Sequence, residues 1–366
     1  MRELGTRRQM LQAACLGGLV ASGLGSTGCS LKRGQQYEAA AEETWHESDF
    51  TKGSDFYREL VRCATLAPSS HNTQPWTFKV QPGAISVLPD YSRRCPQVDP
   101  DDHHLFVSLG CAAENLSIAA SAAGLHGRVS FQDGCRMEFE PAVRESTALF
   151  HAIAHRQCSR CEYDGKQMGT AELKLLEEAG TSDSVNVLLL TDRRKFEPLL
   201  EFVAQGNRAQ MGNGAWMQEL EHWIRFNETE ALDSRDGLYS RTSGNSETSR
   251  FLGSLYLRVA MTAASQTKTD VRNIRSSAGI AVFTSEANSP RNWFEAGRAY
   301  ERFALQATAL GIRTAFINQP VEVLNLRPQF ASWLGIAGRR PDLVVRFGHG
   351  PAMPRSLRRP LTQVIA

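Results

Sequence analysis

Apolar residues recur at helical spacing over residues 56–66, where Phe56, Leu60, Val61 and Ala64 would share one face. A strand-like run follows at 76–80, and residues 83–88 alternate after the turn Gln81-Pro82-Gly83. Residues 90–104, rich in Pro, Asp and Arg, read as loop. A long small-residue helix is predicted over 106–123, ended by Gly124, and then a strand over 127–132. Later strands are predicted at 280–284 and 314–317. Trp216, Leu220, Trp223 and Ile224 would form one face of a helix over 216–226, before a loop of Ser, Thr, Asn and Gly over 233–249. Residues 30–53 are polar and alanine-rich without strong periodicity, and read as a tether.

The pattern repeats. SLGCAAENLSIAASAAGL, from Ser108, aligns with EAGRAYERFALQATALGI, from Glu295. One common offset pairs Gly110 with Gly297, Ala112 with Ala299, Glu114 with Glu301 and Gly124 with Gly311. A strand precedes each helix, so duplication is the expected reading. Residues 196–275 have no counterpart in the first copy and form an insertion, either a lid or a surface excursion.

The stretch ATLAPSSHNTQPWTF, residues 64–78, gathers Ser69, Ser70, Asn72, Thr73 and Gln74 into one loop between two stiffening prolines, Pro68 and Pro75. A proline disfavours the right-handed helical conformation in the residue before it, so helix and strand are both bounded there. A loop rich in hydroxyls and amides, held between rigid elements, suits a polar ligand, although Ser and Asn also cap ordinary turns.

APSSHNTQPW resembles the APS-x-N-x-QPW signature of the FMN-dependent nitroreductase superfamily. The resemblance implies an α+β fold of three layers (α/β/α), with two tandem halves forming a pseudo-dimer within one chain. It assigns Pro68, Ser69, Ser70, Asn72 and Gln74 to flavin contact. His155-Arg156-Gln157-Cys158-Ser159-Arg160-Cys161-Glu162-Tyr163 resembles the family's phosphate-binding segment, which implicates Arg156, Cys158, Ser159 and Arg160. Cys158 stands where the family has Ser or Thr, and a thiol is a weak donor. Ser356-Leu357-Arg358-Arg359-Pro360 resembles the basic segment closing on the same phosphate, and Asn318-Gln319-Pro320-Val321 the segment beside the ring. The implied cofactor is FMN, a dianion suited to arginine forks. No catalytic side chain is expected, because the flavin carries the hydride. The loop lies in the first half and the arginines in the second, so one composite site is expected.

Composition bounds the rest. The chain has 366 residues, 42% of them hydrophobic and 22% charged, as in ordinary globular proteins. A net charge of +2, without a basic stripe, argues against nucleic acid as a partner. Thr6-Arg7-Arg8-Gln9-Met10-Leu11, followed by an uncharged Gly/Ala-rich run to Leu24, resembles a twin-arginine signal read by that export machinery. Ser26-Thr27-Gly28-Cys29 offers a lipidation site at Cys29. The expected location is therefore outside the cytoplasm, periplasmic or membrane-anchored. Cys158 and Cys161 have the spacing of half a zinc site but no second pair, and Asp101, Asp102, His103 and His104 read as solvated loop, so no metal is expected.

The expected division is a signal segment over 1–30, a polar linker over 31–53, a first half over 54–145 and a second over 146–366. The leading functional expectation is an FMN-dependent oxidoreductase working as a pseudo-dimeric monomer. The alternative is a non-catalytic flavin storage or sequestration protein with a lidded site.

Overall fold

The computed structural model describes residues 27–50 and 55–366, with side chains described from residue 34 onward. The twin-arginine segment and the Cys29 side chain lie outside the described residues.

Helix α1 (Thr27–Thr44) opens the described chain, followed by α2 (Phe56–Thr65). Strands β1 (Trp76–Gln81) and β2 (Ala84–Pro89) form a hairpin, and the long helix α3 (His103–Ala122) leads to β3 (Leu125–Phe131) and β4 (Cys135–Pro141). These strands make an antiparallel sheet in the order β1-β2-β4-β3. The short α4 (Ala148–Ile153) and α5 (Thr170–Gly180) precede β5 (Val185–Leu190). Between β5 and β8 (Gly279–Ser285) lie α6 (Phe196–Met211), α7 (Gly214–Trp223), β6 (Ile224–Arg225), α8 (Glu228–Ser234), β7 (Leu238–Tyr239), α9 (Arg250–Val259) and α10 (Ala263–Arg275). A second long helix, α11 (Pro290–Ala309), then leads to β9 (Arg313–Phe316), α12 (Gln319–Glu322), α13 (Arg327–Trp333), β10 (Pro341–Gly348) and α14 (Leu361–Val364).

The second sheet runs β5-β8-β10-β9, again antiparallel. Both sheets therefore have the same topology, with the long helix between their second and third strands. The β1–β2 turn is a few residues long, whereas the matching β5–β8 connection contains all of 196–275.

Side-chain alternation explains the layers. On the first sheet Trp76, Phe78, Ile85, Val87 and Met137 face the core with α3, while Lys79, Arg136 and Glu138 face solvent. The second sheet is buried on both faces. Ala281, Phe283, Leu343 and Val345 join that core, and Ile280, Val282 and Val344 meet Phe196, Leu199, Val203 and Phe330 from α6 and α13. The α3–α11 pair lies between the sheets.

This pair is held by reciprocal glycines. A Cβ at Gly110 would overlap the Phe294 carbonyl, and one at Gly297 would overlap the Val107 carbonyl. The two contacts relate positions that share the repeat offset. The chain end also crosses between the sheets: Ile365 bridges Phe78 in parallel, and the Ala366 N–H donates to the Phe78 carbonyl at 2.9 Å.

Three expectations need correction. The stretch read as a tether is largely helix α1, and it buries Tyr37, Ala40 and Ala41. His103 and His104, expected in a solvated loop, open α3 and are 1% and 4% exposed. The helix expected over 216–226 ends at Trp223, where Ile224 turns extended and pairs in β6 with β7.

Substituting Gly110→Ala or Gly297→Ala is expected to cost about 1–3 kcal/mol, since backbone must move to admit the methyl group. Gly214→Ala, whose added Cβ meets nothing within 4 Å, should change the thermal midpoint little. Thermal unfolding of the three variants checks this.

Candidate functional site

The loop after α2 is shaped by its backbone. His71, Asn72 and Gln74 have φ of 48°, 53° and 53°, the left-handed region that Asn tolerates best. Gln74 thus leaves the right-handed helical region, as Pro75 requires, on the left-handed side rather than the extended one. Ser69 Oγ accepts from the Gln74 N–H at 3.0 Å, closing the loop on itself.

Opposite stands the segment after α4. Ser159 N–H donates to the Thr314 carbonyl at 2.9 Å, which docks 156–160 beside β9. Together these segments line a cavity of about 70 Å³, walled by Pro68, Ser69, Asn72, Arg156, Cys158 and Arg160. Trp45, Phe316, Arg355, Ser356 and Arg358 complete the wall, with Gly237, Leu238 and Thr242 covering it.

The cavity is cationic. Arg156 is 2% exposed, donates from Nη2 to the Leu66 carbonyl at 2.8 Å and faces Glu301 Oε1 from Nε at 3.2 Å. That ion pair lacks hydrogen-bond geometry, so Arg156 Nη1 and both Glu301 oxygens are buried without a hydrogen-bond partner. Burial pushes the Glu301 carboxyl up to about 7, against the partial opposition of Arg156. Burial would lower Arg156, but Glu301, Tyr300, Cys158 and Cys111 together outweigh it and raise the guanidinium. Arg358 is pushed down to about 9 by burial and then by Arg156. Burial, Arg156 and Arg313 likewise lower Arg355. Arg160 is exposed, with no hydrogen bond or ion pair among the described residues. Several crowded guanidiniums facing one carboxylate that favours its neutral form make a site for a multiply charged anion.

Arg358 has another task. Its Nε and Nη2 donate to the carbonyls of Thr65, Leu66 and Ala67, at 2.7–3.1 Å, and Nη1 reaches Asn72 Oδ1 at 3.0 Å. It caps the C-terminal carbonyls of α2, where the helix dipole favours a cation. Its donors are committed to the protein, so where it lines the cavity it also braces the loop. Arg359 turns away: its N–H donates to Gln74 Oε1 at 2.8 Å and its guanidinium to the Gln74 and Gln363 carbonyls. Gln74, fully buried, is held from its other end, where Nε2 donates to the Arg235 carbonyl at 2.9 Å. Ser159 is also fully buried, and its carbonyl accepts from Tyr163 and Arg346.

Asn318 and Gln319 do not line this cavity. Gln319 Nε2 donates to Asn207 Oδ1 of α6 at 3.2 Å. Asn318 Oδ1 accepts the Val344 N–H, so its Nδ2 donates to His104 Nε2 at 3.3 Å. That fixes the His104 tautomer and turns Nδ1 toward Asp99, 3.5 Å away. Burial alone would lower His104, but the adjacent Asp99 carboxylate raises it. Asp99, His103 and His104 thus form a buried group, with ligand atoms within 4.8 Å, and His103 Nε2 lies 2.9 Å from Asp342. Desolvation, followed by Arg160 and His104, pushes His71 down to about 4, leaving it neutral near pH 7. Ser70 stands in the loop's short 3₁₀ turn, half-buried and outside the wall.

Trp45 and Arg355 were not foreseen. Trp45 Nε1 donates to the Ser356 carbonyl at 2.8 Å, and its ring carries Arg355 and Arg358 at 5.0 and 4.8 Å. Tyr37 hydroxyl donates to the Arg355 carbonyl at 2.6 Å. Tyr37, Ala40, Ala41 and Trp45 are spaced i, i+3, i+4 and i+8, a helical signal present in the sequence.

The Glu301 shift sets a pH dependence. Between about pH 4.5 and pH 7 the folded state retains a proton that the unfolded chain has lost, so stability falls as pH rises. Below that window both states are protonated and the carboxyl imposes no charge-burial cost. Protonated Glu301 no longer neutralises Arg156, so sulfate should raise the thermal midpoint more at about pH 5.5 than at about pH 8. Glu301→Gln is expected to remove most of that difference, as scanning calorimetry with and without sulfate would show.

No family profile matches the chain. Over 322 residues it is 25% identical to a Mycobacterium tuberculosis protein named "Putative NAD(P)H nitroreductase", covering 84% of this chain and 90% of that protein. Another from the same organism, "Putative NAD(P)H nitroreductase acg", is 23% identical over 327 residues, covering 85% and 95%. Among solved structures, the FMN-dependent nitroreductase NfnB from Mycobacterium smegmatis, in complex with NADPH, matches with TM-score 0.39 and 15% identity, over 59% of this chain and 96% of that one. A Bacteroides fragilis nitroreductase with bound FMN matches with TM-score 0.34 and 18% identity, over 56% and 89%. Sequence similarity to these two proteins extends over most of the chain and over nearly their whole length.

Proposed function

We propose that the chain binds FMN at the seam between its two sheets and acts as an NAD(P)H-dependent oxidoreductase. One observation carries this reading. Arg156 Nη1 is buried and unpartnered in a cavity that Arg160 and Arg355 also line, beside the hydroxyl and amide groups of the 68–74 loop. A phosphate would supply the missing acceptor. The sequence relatives named NAD(P)H nitroreductases support the same reading.

In this assignment Arg156, Arg160 and Arg355 hold the phosphate, while Cys158 offers a weak donor and the Ser69 hydroxyl faces the polar chain, with Asn72 holding the loop in shape. Arg358 fixes Asn72 and the end of α2. FMN, if bound there, would supply the hydride-transfer chemistry. The matching sheet topologies and the reciprocal glycines of α3 and α11 support an origin by duplication, with one composite site in a pseudo-dimeric monomer. The arginine pair near the N-terminus supports export by the twin-arginine machinery in folded form, with Cys29 as a lipid anchor.

A second reading, flavin storage, is favoured by the cover. The Gly237 N–H donates to the Asn72 carbonyl, and Asn72 Nδ2 donates to the Gly237 carbonyl, both at 3.1 Å. Arg93 ties Thr73 to Asp236, which also holds Arg225. A cover strapped to the loop would keep substrate from stacking on the ring.

Absorbance spectra of purified protein before and after anaerobic NADPH separate the readings. Bleaching by NADPH is the outcome expected of an oxidoreductase, whereas bleaching by dithionite alone would favour storage. Arg160→Ala is expected to weaken FMN binding about tenfold or more, because a charge-assisted contact is lost without disturbing any contact in the apoprotein. Arg94→Ala, which removes an ion pair to Asp102 at 3.0 Å, should leave affinity unchanged. Equal retention by both variants in fluorescence titration would sink the site assignment.

A further inference from the structure

Helix α9 presents its apolar residues to solvent. Phe251, Leu252, Leu255, Tyr256 and Val259 are 77%, 56%, 48%, 58% and 72% exposed. Five of the nine large hydrophobic residues exposed among the described residues thus fall within this one short helix. At the helical spacing of 100° per residue, they occupy one continuous arc of roughly 140°. The opposite side is anchored: Leu257 is buried, and Gly253 packs so closely on Phe226 that a Cβ would collide with the ring.

The stripe contains no charge. Arg258, paired with Glu221 at 3.2 Å, lies at one margin, whereas Arg250, paired with Glu230 at 2.6 Å, lies on the anchored side beside Leu257. A contiguous apolar arc of this kind marks an interaction surface.

We propose that α9 seats the folded protein on a lipid bilayer, with these five side chains entering the headgroup–acyl boundary and Arg258 at water level. A second copy is the poorer occupant. Ten residues span roughly 15 Å, too little for the roughly 800 Å² per partner that a stable dimer buries. A bilayer needs no shape-complementary partner, and an amphipathic helix binds it in proportion to apolar area. The chain before the described residues adds a second reason. The uncharged run from Met10 to Leu24 precedes α1, and α1 packs on α8, whose Glu230 holds Arg250 of α9. The N-terminal run is thus joined through α1 and α8 to the element that carries the stripe, and two weak membrane contacts together give stable anchoring.

The test is co-sedimentation of the full-length chain with vesicles of phosphatidylcholine and phosphatidylglycerol, at low and high salt. The chain should pellet with vesicles at both salt concentrations. The triple variant Phe251→Ser, Leu255→Ser, Val259→Ser should lose more than about tenfold in partitioning at an unchanged thermal midpoint. Phe251→Ser alone, at the most exposed position, gives the same comparison in smaller measure should the triple variant misfold. Equal partitioning of variant and parent would assign the membrane contact to the N-terminal run and overturn the proposal. So would a parent that stays in the supernatant, or a parent that sediments as a dimer which the substitutions dissociate.

Discussion

The architecture depends on two helices approaching closely enough for backbone to touch backbone. Gly110 lies against the carbonyl of Phe294 and Gly297 against that of Val107, and any side chain at either position would force the helices apart. The distance between the two sheets follows from this contact, because α3 and α11 fill the layer between them. The seam also positions Glu301, which projects from α11 toward Arg156. A spacing error at the glycines would therefore be transmitted to the arginine cluster as well as to the core.

The arginines illustrate how similar residues acquire different work. Arg358 and Arg156 both reach the carbonyls that α2 leaves unpaired at its C-terminus, where a cation is favoured electrostatically. Arg358 spends its donors there, on Asn72 of the loop and on the adjacent Ser356 and Leu357. Arg156 spends one amino group there and keeps another unpartnered, in a place where desolvation makes an unmade hydrogen bond costly. Arg355 and Arg358 are lowered first by burial and then by Arg156, the electrostatic counterpart of the same crowding. A bound dianion would relieve both.

The insertion between β5 and β8 is structurally divided. Its ends, α6 and α10, lie on the second sheet and are joined by Asn207 and Asp270 at 2.7 Å. Its middle reaches across to the 68–74 loop, where Arg235 and Gly237 bind Gln74 and Asn72, and Asp236 reaches the Thr73 carbonyl through Arg93. Loop conformation and cover are consequently one coupled unit, and the left-handed residues Asn72 and Gln74 are held from both sides.

Much of this was legible in residue order. Period and glycine placement located the long helices, the shared offset paired Gly110 with Gly297 and Glu114 with Glu301, and the absence of a counterpart marked 196–275 as extra. The spacing of Tyr37, Ala40, Ala41 and Trp45 was legible too, but the surrounding Glu and Gln residues obscured it. What sequence could not supply were contacts between residues far apart in the chain. Whether His103 and His104 are solvated depends on Asp342, Asp99 and Asn318 closing over them. Whether Arg358 faces a ligand or Arg359 turns away depends on where the carbonyls of α2 and Gln74 lie. Local pattern determined the elements because helix and strand periods are short-range. The division of labour among the arginines was decided only in three dimensions, because a guanidinium goes to whichever distant acceptors the packed backbone leaves unpaired.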